Sequence, residues 1–336
     1  MVCACTTLGI HGENLFPATA GRDYALTPYL EPLAEFRRDF TVFSGISHPQ
    51  IGGDHASESC FLTSAKYPTA PGFRNSISLD YAAARQPFLL SLHFNAPHWP
   101  WEGPGDEAES KRLVAGRRSL FDYDGGSMQT YAAMVTRMDY QIGRVLDALE
   151  AGGVANDTLV IFTSDNGGER YSDRWPFTGM KTELLEGGIR IPAIVRWPKR
   201  VPAGSINERQ TIMHMDWLPT LLAAAGLTPD ASFPPDGMNL LPTLTENAPP
   251  VTRKLFWRYK AAEQAAFRDG DWKYLKLGKK EWLFNLAEDE HERANRAQAE
   301  PARFAAMKQA WGSWSATMLP YPKDSPSANV ITPDRY

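Results

Sequence analysis

Two apolar patterns alternate along the chain, short continuous runs and longer stripes at helical spacing. Continuous runs at residues 88–94, 159–163 and 189–197 predict strands that are buried on both faces, as in a parallel sheet. Residues 127–151 form the clearest helical stripe, which ends at a Gly-Gly pair. Strand and helix signals in this order predict an α/β core.

The pattern changes after the proline-rich stretch at residues 229–250, which predicts a boundary. Beyond it, short β-rich segments joined by tight turns predict a small antiparallel sheet. Residues 301–318 place their apolar side chains on one helical face, which predicts a terminal helix. The four strands are predicted at residues 255–259, 265–268, 272–276 and 282–285.

The composition is that of a folded chain without a strong electrostatic preference. Of 336 residues, 43% are hydrophobic and 22% are charged, so a substantial core is possible. A net charge of −4 gives no general reason to bind nucleic acid or an anionic membrane, and no apolar run is long enough to span a bilayer. The three cysteines predict neither a disulfide framework nor a four-ligand zinc site. The first residues lack the features of a secretion signal, so the compartment stays unknown.

Polar groups suited to an anionic ester follow the predicted strands. Asp165 and Asn166 come directly after the strand at 159–163, and their oxygens suit Ca²⁺ or Mg²⁺. His98 follows the first predicted core strand, and Lys181 precedes the last one. Together, a cation, a proton donor and an ammonium would hold the oxygens of an anionic ester. Taken singly, these residues could equally be a strand-ending turn, a surface histidine and a solvated lysine.

The same residues lie in a series of longer motifs. The motifs are Pro87-Phe-Leu-Leu-Ser-Leu-His-Phe-Asn-Ala-Pro-His98-Trp-Pro, Thr163-Ser-Asp165-Asn166-Gly-Gly, Lys181-Thr-Glu-Leu-Leu-Glu186-Gly-Gly-Ile-Arg190-Ile-Pro, Met215-Asp-Trp-Leu-Pro-Thr-Leu-Leu and Arg268-Asp-Gly-Asp-Trp-Lys-Tyr. Together they resemble an arylsulfatase-type sulfatase of the alkaline-phosphatase-like superfamily, over residues 87–322. The resemblance implies that Asp165 and Asn166 bind calcium, and that His98 and Lys181 are catalytic residues that bind the sulfate group. It also implies an α/β fold with a mixed central sheet sandwiched by helices, a small C-terminal antiparallel sheet and a terminal helix.

The N-terminal part departs from that family. Sulfatases carry a Cys/Ser-x-Pro/Ala-x-Arg motif whose first residue becomes formylglycine, and this sequence contains none, so formylglycine is not expected. The N-terminal aspartates that complete the calcium site are also absent, so a weak or incomplete Ca²⁺ site is expected. The N-terminal part instead contains Thr7-Leu-Gly-Ile-His-Gly-Glu-Asn-Leu-Phe-Pro and Phe40-Thr-Val-Phe-Ser-Gly-Ile-Ser-His-Pro. By these segments, residues 1–85 resemble the HXXSHH-type domain of unknown function, common in exported bacterial proteins. The predicted division is an N-terminal segment at 1–85 that replaces the nucleophile region, a sulfatase core at 86–245 and a C-terminal subdomain at 246–336.

The motifs leave four functional hypotheses open. The first is hydrolysis of sulfate monoesters on aryl or carbohydrate groups with a divalent cation, although the family nucleophile is missing. The second is a pseudoenzyme that binds sulfated glycans through Lys181, His98 and an aromatic rim of Trp99 and Trp101. The third is a metal-dependent phosphoesterase of the same superfamily, in which Asp54 or a nearby hydroxyl attacks. The fourth is a recent gene fusion or assembly error. The sequence does not predict the oligomeric state.

Overall fold

The protein divides into two compact units, Met1–Val154 and Ala155–Tyr336. The structure is a computed structural model that describes residues 2–3, 25–26, 31, 34, 87–94, 96–98, 101–103, 106, 108, 111–112, 115 and 126–321. In the N-terminal unit the elements are β1 (Val2–Cys3), β2 (Leu89–Leu90) and α1 (Met128–Ala151). In the C-terminal unit they are β3 (Val160–Thr163), α2 (Glu186–Ile189), β4 (Ala193–Arg196), α3 (Trp217–Ala224), α4 (Leu241–Thr245), β5 (Lys254–Tyr259), β6 (Gln264–Asp269), β7 (Trp272–Leu277), β8 (Lys280–Asn285) and α5 (Pro301–Ala316), with 3-10 turns at Ala155–Asp157, His214–Asp216 and Ala261–Glu263.

Helix α1 confirms the helix predicted at residues 127–151. Ser127 is its N-cap, because the Ser127 hydroxyl accepts a hydrogen bond from the Thr130 backbone N–H at 3.0 Å. At the other end, the Gly152 N–H donates to the Ala148 carbonyl at 3.0 Å. The predicted apolar stripe is the less exposed side of the helix, and Leu149 is buried.

The strand predicted at residues 88–94 is only partly correct. Strand β2 pairs with β1 in the parallel direction, with Val2 opposite Leu89, as a parallel sheet requires. The strand contains two residues instead of seven, and Phe94 is exposed rather than buried. The polar members of the run lie at exposed positions, where Ser91 Oγ and His93 Nε2 are 2.9 Å apart in a local hydrogen bond.

The strand predicted at residues 189–197 is wrong in its extent and burial. Ile189 ends the helical turn α2, and strand β4 begins only after Pro192. Strand β4 runs antiparallel to β3, and its Ile194 side chain is exposed. An antiparallel pair needs cover on one face only, so apolar residues in this run need not all be buried.

The small C-terminal sheet confirms the sequence prediction. Strands β5 to β8 form an antiparallel meander in chain order, with the registers Leu255 to Arg268 and Tyr274 to Leu283 among them. Helix α5 packs on this sheet, and Trp311 Nε1 donates to a carbonyl of β5 at 2.9 Å. No described helix is long and apolar enough to cross a membrane.

Candidate functional site

The turn after β3 carries two of the predicted site residues, Asp165 and Asn166. The Asn166 backbone N–H donates to Asp165 Oδ1 at 2.9 Å, and Ser164 Oγ donates to the Asn166 carbonyl at 3.0 Å. His214 Nε2 lies 2.8 Å from the Ser164 carbonyl oxygen, a contact that the sequence did not indicate. The exposed Asp165 carboxylate accepts hydrogen bonds from its own turn on Oδ1.

Close backbone contacts between glycines hold this turn against helix α2 and the residues that lead into it. The Gly167 N–H donates to the Gly188 carbonyl at 2.8 Å. A Cβ atom on Gly167 would lie 2.0 Å from the Gly187 carbonyl oxygen, and one on Gly187 would lie 2.4 Å from that of Gly179. Side chains do not fit at such distances, so backbone packs directly on backbone. The structure therefore requires glycine at these positions for close contact between backbone segments.

Lys181 is held beside the same turn. Its backbone N–H donates to the Gly168 carbonyl at 2.9 Å, and its ammonium Nζ lies 3.7 Å from Glu169 Oε2. The lysine side chain is 25% exposed, so part of it is in contact with solvent. The structure therefore joins the Lys181 backbone to the turn that carries Asp165 and Asn166.

A buried ionic cluster anchors α2 to the C-terminal sheet. Lys273 on β7 is fully buried, and its Nζ lies 2.8 Å from Glu186 Oε1 and 2.8 Å from Glu292 Oε1. The Glu186 backbone N–H donates to Glu292 Oε2 at 2.6 Å. Arg268 and Arg190 approach Glu186 Oε2 more loosely, at 3.9 Å and 4.0 Å. Because α2 also contains Gly187 and Gly188, this cluster fixes the backbone against which the turn packs.

The pKa values of the two carboxyl groups of this cluster, Glu186 and Glu292, are shifted in opposite directions. Burial, assisted by the nearby Glu186 carboxylate, raises the pKa of Glu292 to about 7 against the pull of Lys273. Burial also disfavours ionised Glu186, but Lys273 and the two arginines together hold its pKa below the ordinary value. Burial likewise opposes the Lys273 charge, yet attraction from both carboxyl groups raises its pKa. The centre of the cluster is therefore a Glu186–Lys273 ion pair, to which Glu292 adds a carboxyl group that is protonated at acidic pH.

Sequence reasoning missed Lys273 and Glu292. One signal was present, because alternation along β7 puts Lys273 on the same face as the buried Leu275. A lysine at a buried strand position needs an anionic partner. The chain gives no local indication that this partner is Glu292, since it lies beyond β8 in a loop.

A second buried ion pair supports the turn that carries His214. Asp216 is fully buried and accepts two hydrogen bonds from Arg253, at 2.5 Å and 2.8 Å. It also accepts the Met213 N–H at 2.6 Å, which closes the 3-10 turn His214–Asp216. This pair fixes the backbone that holds the imidazole against the Ser164 carbonyl.

His98 lies in the N-terminal unit, half-buried in the described segment 96–98. Its contribution to the site stays a prediction. Trp101 is buried and packs on Gly126, so the predicted aromatic rim is wrong for this residue. The remaining predicted groups, Trp99 and the nucleophile candidate Asp54, lie outside the described residues.

The described donors suit a hard divalent cation in kind but supply only part of a site. Asp165 offers a carboxylate and Asn166 an amide oxygen, both of which are hard ligands. Calcium takes about six to eight oxygen ligands, more than this pair provides. Among residues 126–321 and the shorter described segments, no group of three or more His, Cys, Asp or Glu side chains could hold a metal ion.

A family profile and curated relatives both show similarity of this chain to sulfatases. The profile of the family described as Sulfatase matches residues 28–227. The chain is 26% identical over 298 residues to arylsulfatase J of Mus musculus, covering 73% of this chain and 48% of that protein. It is 42% identical over 122 residues to N-acetylgalactosamine-6-sulfatase of Homo sapiens, covering 34% of this chain and 23% of that protein. The chain thus spans about half or less of the length of these curated relatives.

A solved structure confirms the predicted α/β fold class. The crystal structure of Ps i-CgsB in complex with k-i-k-neocarrahexaose superimposes with a TM-score of 0.61 and 29% sequence identity. The alignment covers 70% of this chain and 52% of that chain. The matched family span begins at residue 28, within the segment 1–85 that the sequence assigned to a different domain, and the proposed domain division stays a prediction.

Proposed function

Since the chain belongs to the sulfatase family, we propose that it hydrolyses sulfate monoesters on aryl or carbohydrate groups. The observation that carries the proposal is the junction of the Asp165–Asn166 turn with Lys181. The Lys181 N–H donates to the Gly168 carbonyl at 2.9 Å, which supports the proposal because this bond joins the Lys181 backbone to the turn that carries a carboxylate and an amide. The carbohydrate part of the proposal is supported by the similarity to Ps i-CgsB, which was solved with k-i-k-neocarrahexaose.

In this proposal, Lys181 holds the sulfate oxygens of the ester. Its ammonium is partly neutralised by Glu169 at 3.7 Å and lies close enough to solvent to accept an anionic ligand. His98 would bind the same oxygens or protonate the leaving alcohol. Sulfatases typically use a divalent metal, and here Asp165 and Asn166 would hold a cation, proposed to be Ca²⁺ with a weak or incomplete ligand set. Such a cation would polarise an ester oxygen when bound.

A second candidate function is binding of sulfated glycans without hydrolysis. The observation that favours it is the sequence itself, which lacks the Cys/Ser-x-Pro/Ala-x-Arg motif that supplies the family nucleophile. Lys181 would then serve as an anion ligand only. Hydrolysis requires an attacking oxygen from another group, and Asp54 is the candidate that the sequence provides.

Turnover of 4-nitrophenyl sulfate tests the proposal, with Lys181→Ala as the variant. Lys181→Ala removes the ammonium that would hold the ester oxygens, and this loss is expected to lower kcat/KM by about 10²- to 10³-fold. Lys199→Ala is the matched control, because Lys199 is an exposed lysine of the same unit that pairs with Asp157 at 2.6 Å. It should leave turnover unchanged.

The possible outcomes separate the two candidates. Turnover that depends on Lys181 supports hydrolysis. No turnover, but binding of a sulfated oligosaccharide that is lost in Lys181→Ala, supports the binding candidate. Preference for 4-nitrophenyl phosphate, or wild-type turnover in Lys181→Ala, contradicts the assignment to sulfate esters.

A further inference from the structure

An exposed tryptophan stands on the loop that joins the two parts of the site. The loop leaves the turn at Glu169 and returns at Lys181, and the Trp175 side chain between them is 71% exposed. The loop has its own hydrogen bonds: the Trp175 N–H donates to Asp173 Oδ1 at 3.0 Å, and Arg174 Nη1 donates to the Glu169 carbonyl at 2.8 Å. The exposed indole is therefore presented by a hydrogen-bonded loop.

A second segment, at residues 291–293, borders the indole with an imidazole and a guanidinium. The His291 ring lies 4.9 Å from the Trp175 ring, centroid to centroid, at an angle of 45°. The Arg293 guanidinium carbon lies 6.0 Å from the Trp175 centroid, at the outer limit of cation–π distance. His291 Nδ1 contacts the Pro176 carbonyl, and Thr178 Oγ1 donates to the His291 carbonyl at 2.5 Å. These contacts join the loop to the segment and keep the three side chains together.

The chemistry of this group fits a sulfated sugar. The face of an indole ring carries negative electrostatic potential and packs well on the C–H face of a pyranose. An adjacent guanidinium donates paired hydrogen bonds to the oxygens of a sulfate group. A single exposed apolar side chain is ordinary on a protein surface, but an exposed indole bordered by an imidazole and a guanidinium offers both kinds of contact at once.

The loop also connects this group to the proposed sulfate site. At one end, the Lys181 N–H donates to the Gly168 carbonyl at 2.9 Å, and close by the Gly187 N–H donates to the Thr178 carbonyl at 2.7 Å. Both bonds tie the loop to the glycine contacts of the Asp165 turn. The loop that presents Trp175 is therefore the same loop that leads into Lys181.

We propose that Trp175, His291 and Arg293 form a subsite that binds a neighbouring sulfated sugar of an oligosaccharide substrate. The proposal rests on the proposed function for the identity of the substrate, and its residues lie outside the groups assigned to the ester itself. Trp175 supplies the stacking surface, Arg293 the sulfate contact and His291 a positioning contact to the indole.

Calorimetric titration with a sulfated galactan hexasaccharide tests the subsite without requiring turnover. Trp175→Ala should weaken binding about tenfold, as loss of one ring-stacking contact does, whereas Trp175→Phe should retain most of the affinity. Arg293→Met should weaken binding of the sulfated hexasaccharide but not of its desulfated form. Phe233→Ala is the matched control, since Phe233 is an aromatic residue of the same unit that is 74% exposed. It should bind like the wild type.

A parallel assay with 4-nitrophenyl sulfate separates this proposal from the proposed function. That substrate has no neighbouring sugar, so Trp175→Ala should leave kcat/KM for 4-nitrophenyl sulfate unchanged. The same variant should raise KM for the hexasaccharide. If the wild type binds the hexasaccharide through Trp175 but hydrolyses no sulfate ester, the subsite stands and hydrolysis fails. Unchanged hexasaccharide affinity in Trp175→Ala, or equal losses in Trp175→Ala and Phe233→Ala, would overturn the subsite. An equal effect on the aryl sulfate would assign the indole to the ester group instead and would also overturn it.

Discussion

Replacement of Lys273 by methionine is the sharpest test of the buried cluster that supports the site. Lys273 is fully buried, and its ammonium lies 2.8 Å from an oxygen of both Glu186 and Glu292. Methionine fills similar space but leaves two carboxyl groups facing each other without their shared cation. Arg268 and Arg190 compensate little, because they lie 3.9 Å and 4.0 Å from Glu186 Oε2.

The expected magnitude follows from burial. Removing one partner of a buried, hydrogen-bonded ion pair costs about 3–5 kcal/mol. A typical domain is stable by about 5–15 kcal/mol, so this loss is a large fraction of the total. Urea unfolding followed by tryptophan fluorescence measures it as a lower midpoint at unchanged slope.

Two further variants complete the test. Lys276→Met is the matched control on the same strand, because Lys276 is partly exposed and pairs with the exposed Glu263 at 3.2 Å, a contact worth at most about 1 kcal/mol. In the double variant Lys273→Met with Glu186→Gln, the buried carboxyl group that stays ionised loses its charge, so about 1–2 kcal/mol should be recovered relative to Lys273→Met alone. A Lys273→Met loss no larger than that of Lys276→Met would refute the reasoning.

Two other predictions concern the same region. The folded-state pKa of Glu292 is raised from 4.5 to about 7, so its protonated form stabilises the fold below pH 4.5 and that contribution is lost as pH rises through about 7. Unfolding free energies measured from pH 4 to 8 should therefore fall more steeply with pH in the wild type than in Glu292→Gln. Parallel curves for the two proteins would contradict this. Gly167→Ala should cost about 1–3 kcal/mol in thermal or urea unfolding, because its Cβ would lie 2.0 Å from the Gly187 carbonyl oxygen. Gly143→Ala, in α1 with nothing within 4 Å, should be neutral or stabilising, and equal losses in the two variants would contradict the close-contact explanation.

Elements with a regular local pattern were predictable from the sequence. Helix α1 has a polar cap at Ser127, a long apolar stripe and a glycine end, and the structure follows these signals. The C-terminal meander was predictable for a similar reason, since the turn at Asp269 and Gly270 separates two strands of alternating pattern. In both cases the residues that decide the structure are neighbours in the sequence.

Contacts between distant segments were not predictable in the same way. The run at 189–197 has the composition of a buried strand, but the close packing of Gly187 and Gly188 starts it as a helical turn. Lys273 and Glu292 meet Glu186 across long stretches of chain, and no local pattern specifies that meeting. The Asp165–Asn166 turn was identified because its chemistry is local, whereas its support by the cluster depends on tertiary packing.

The most direct test of the central claim is release of sulfate from 4-nitrophenyl sulfate by the wild type and by Asp165→Ala, with and without added Ca²⁺. The claim is that the turn at Asp165 and Asn166 acts together with Lys181 on sulfate esters. The predicted result is wild-type turnover that rises with Ca²⁺ and is reduced about 10²-fold or more in Asp165→Ala. Asp157→Ala, which alters an exposed carboxylate of the same unit, should behave like the wild type. Turnover in Asp165→Ala equal to that of the wild type would contradict the claim.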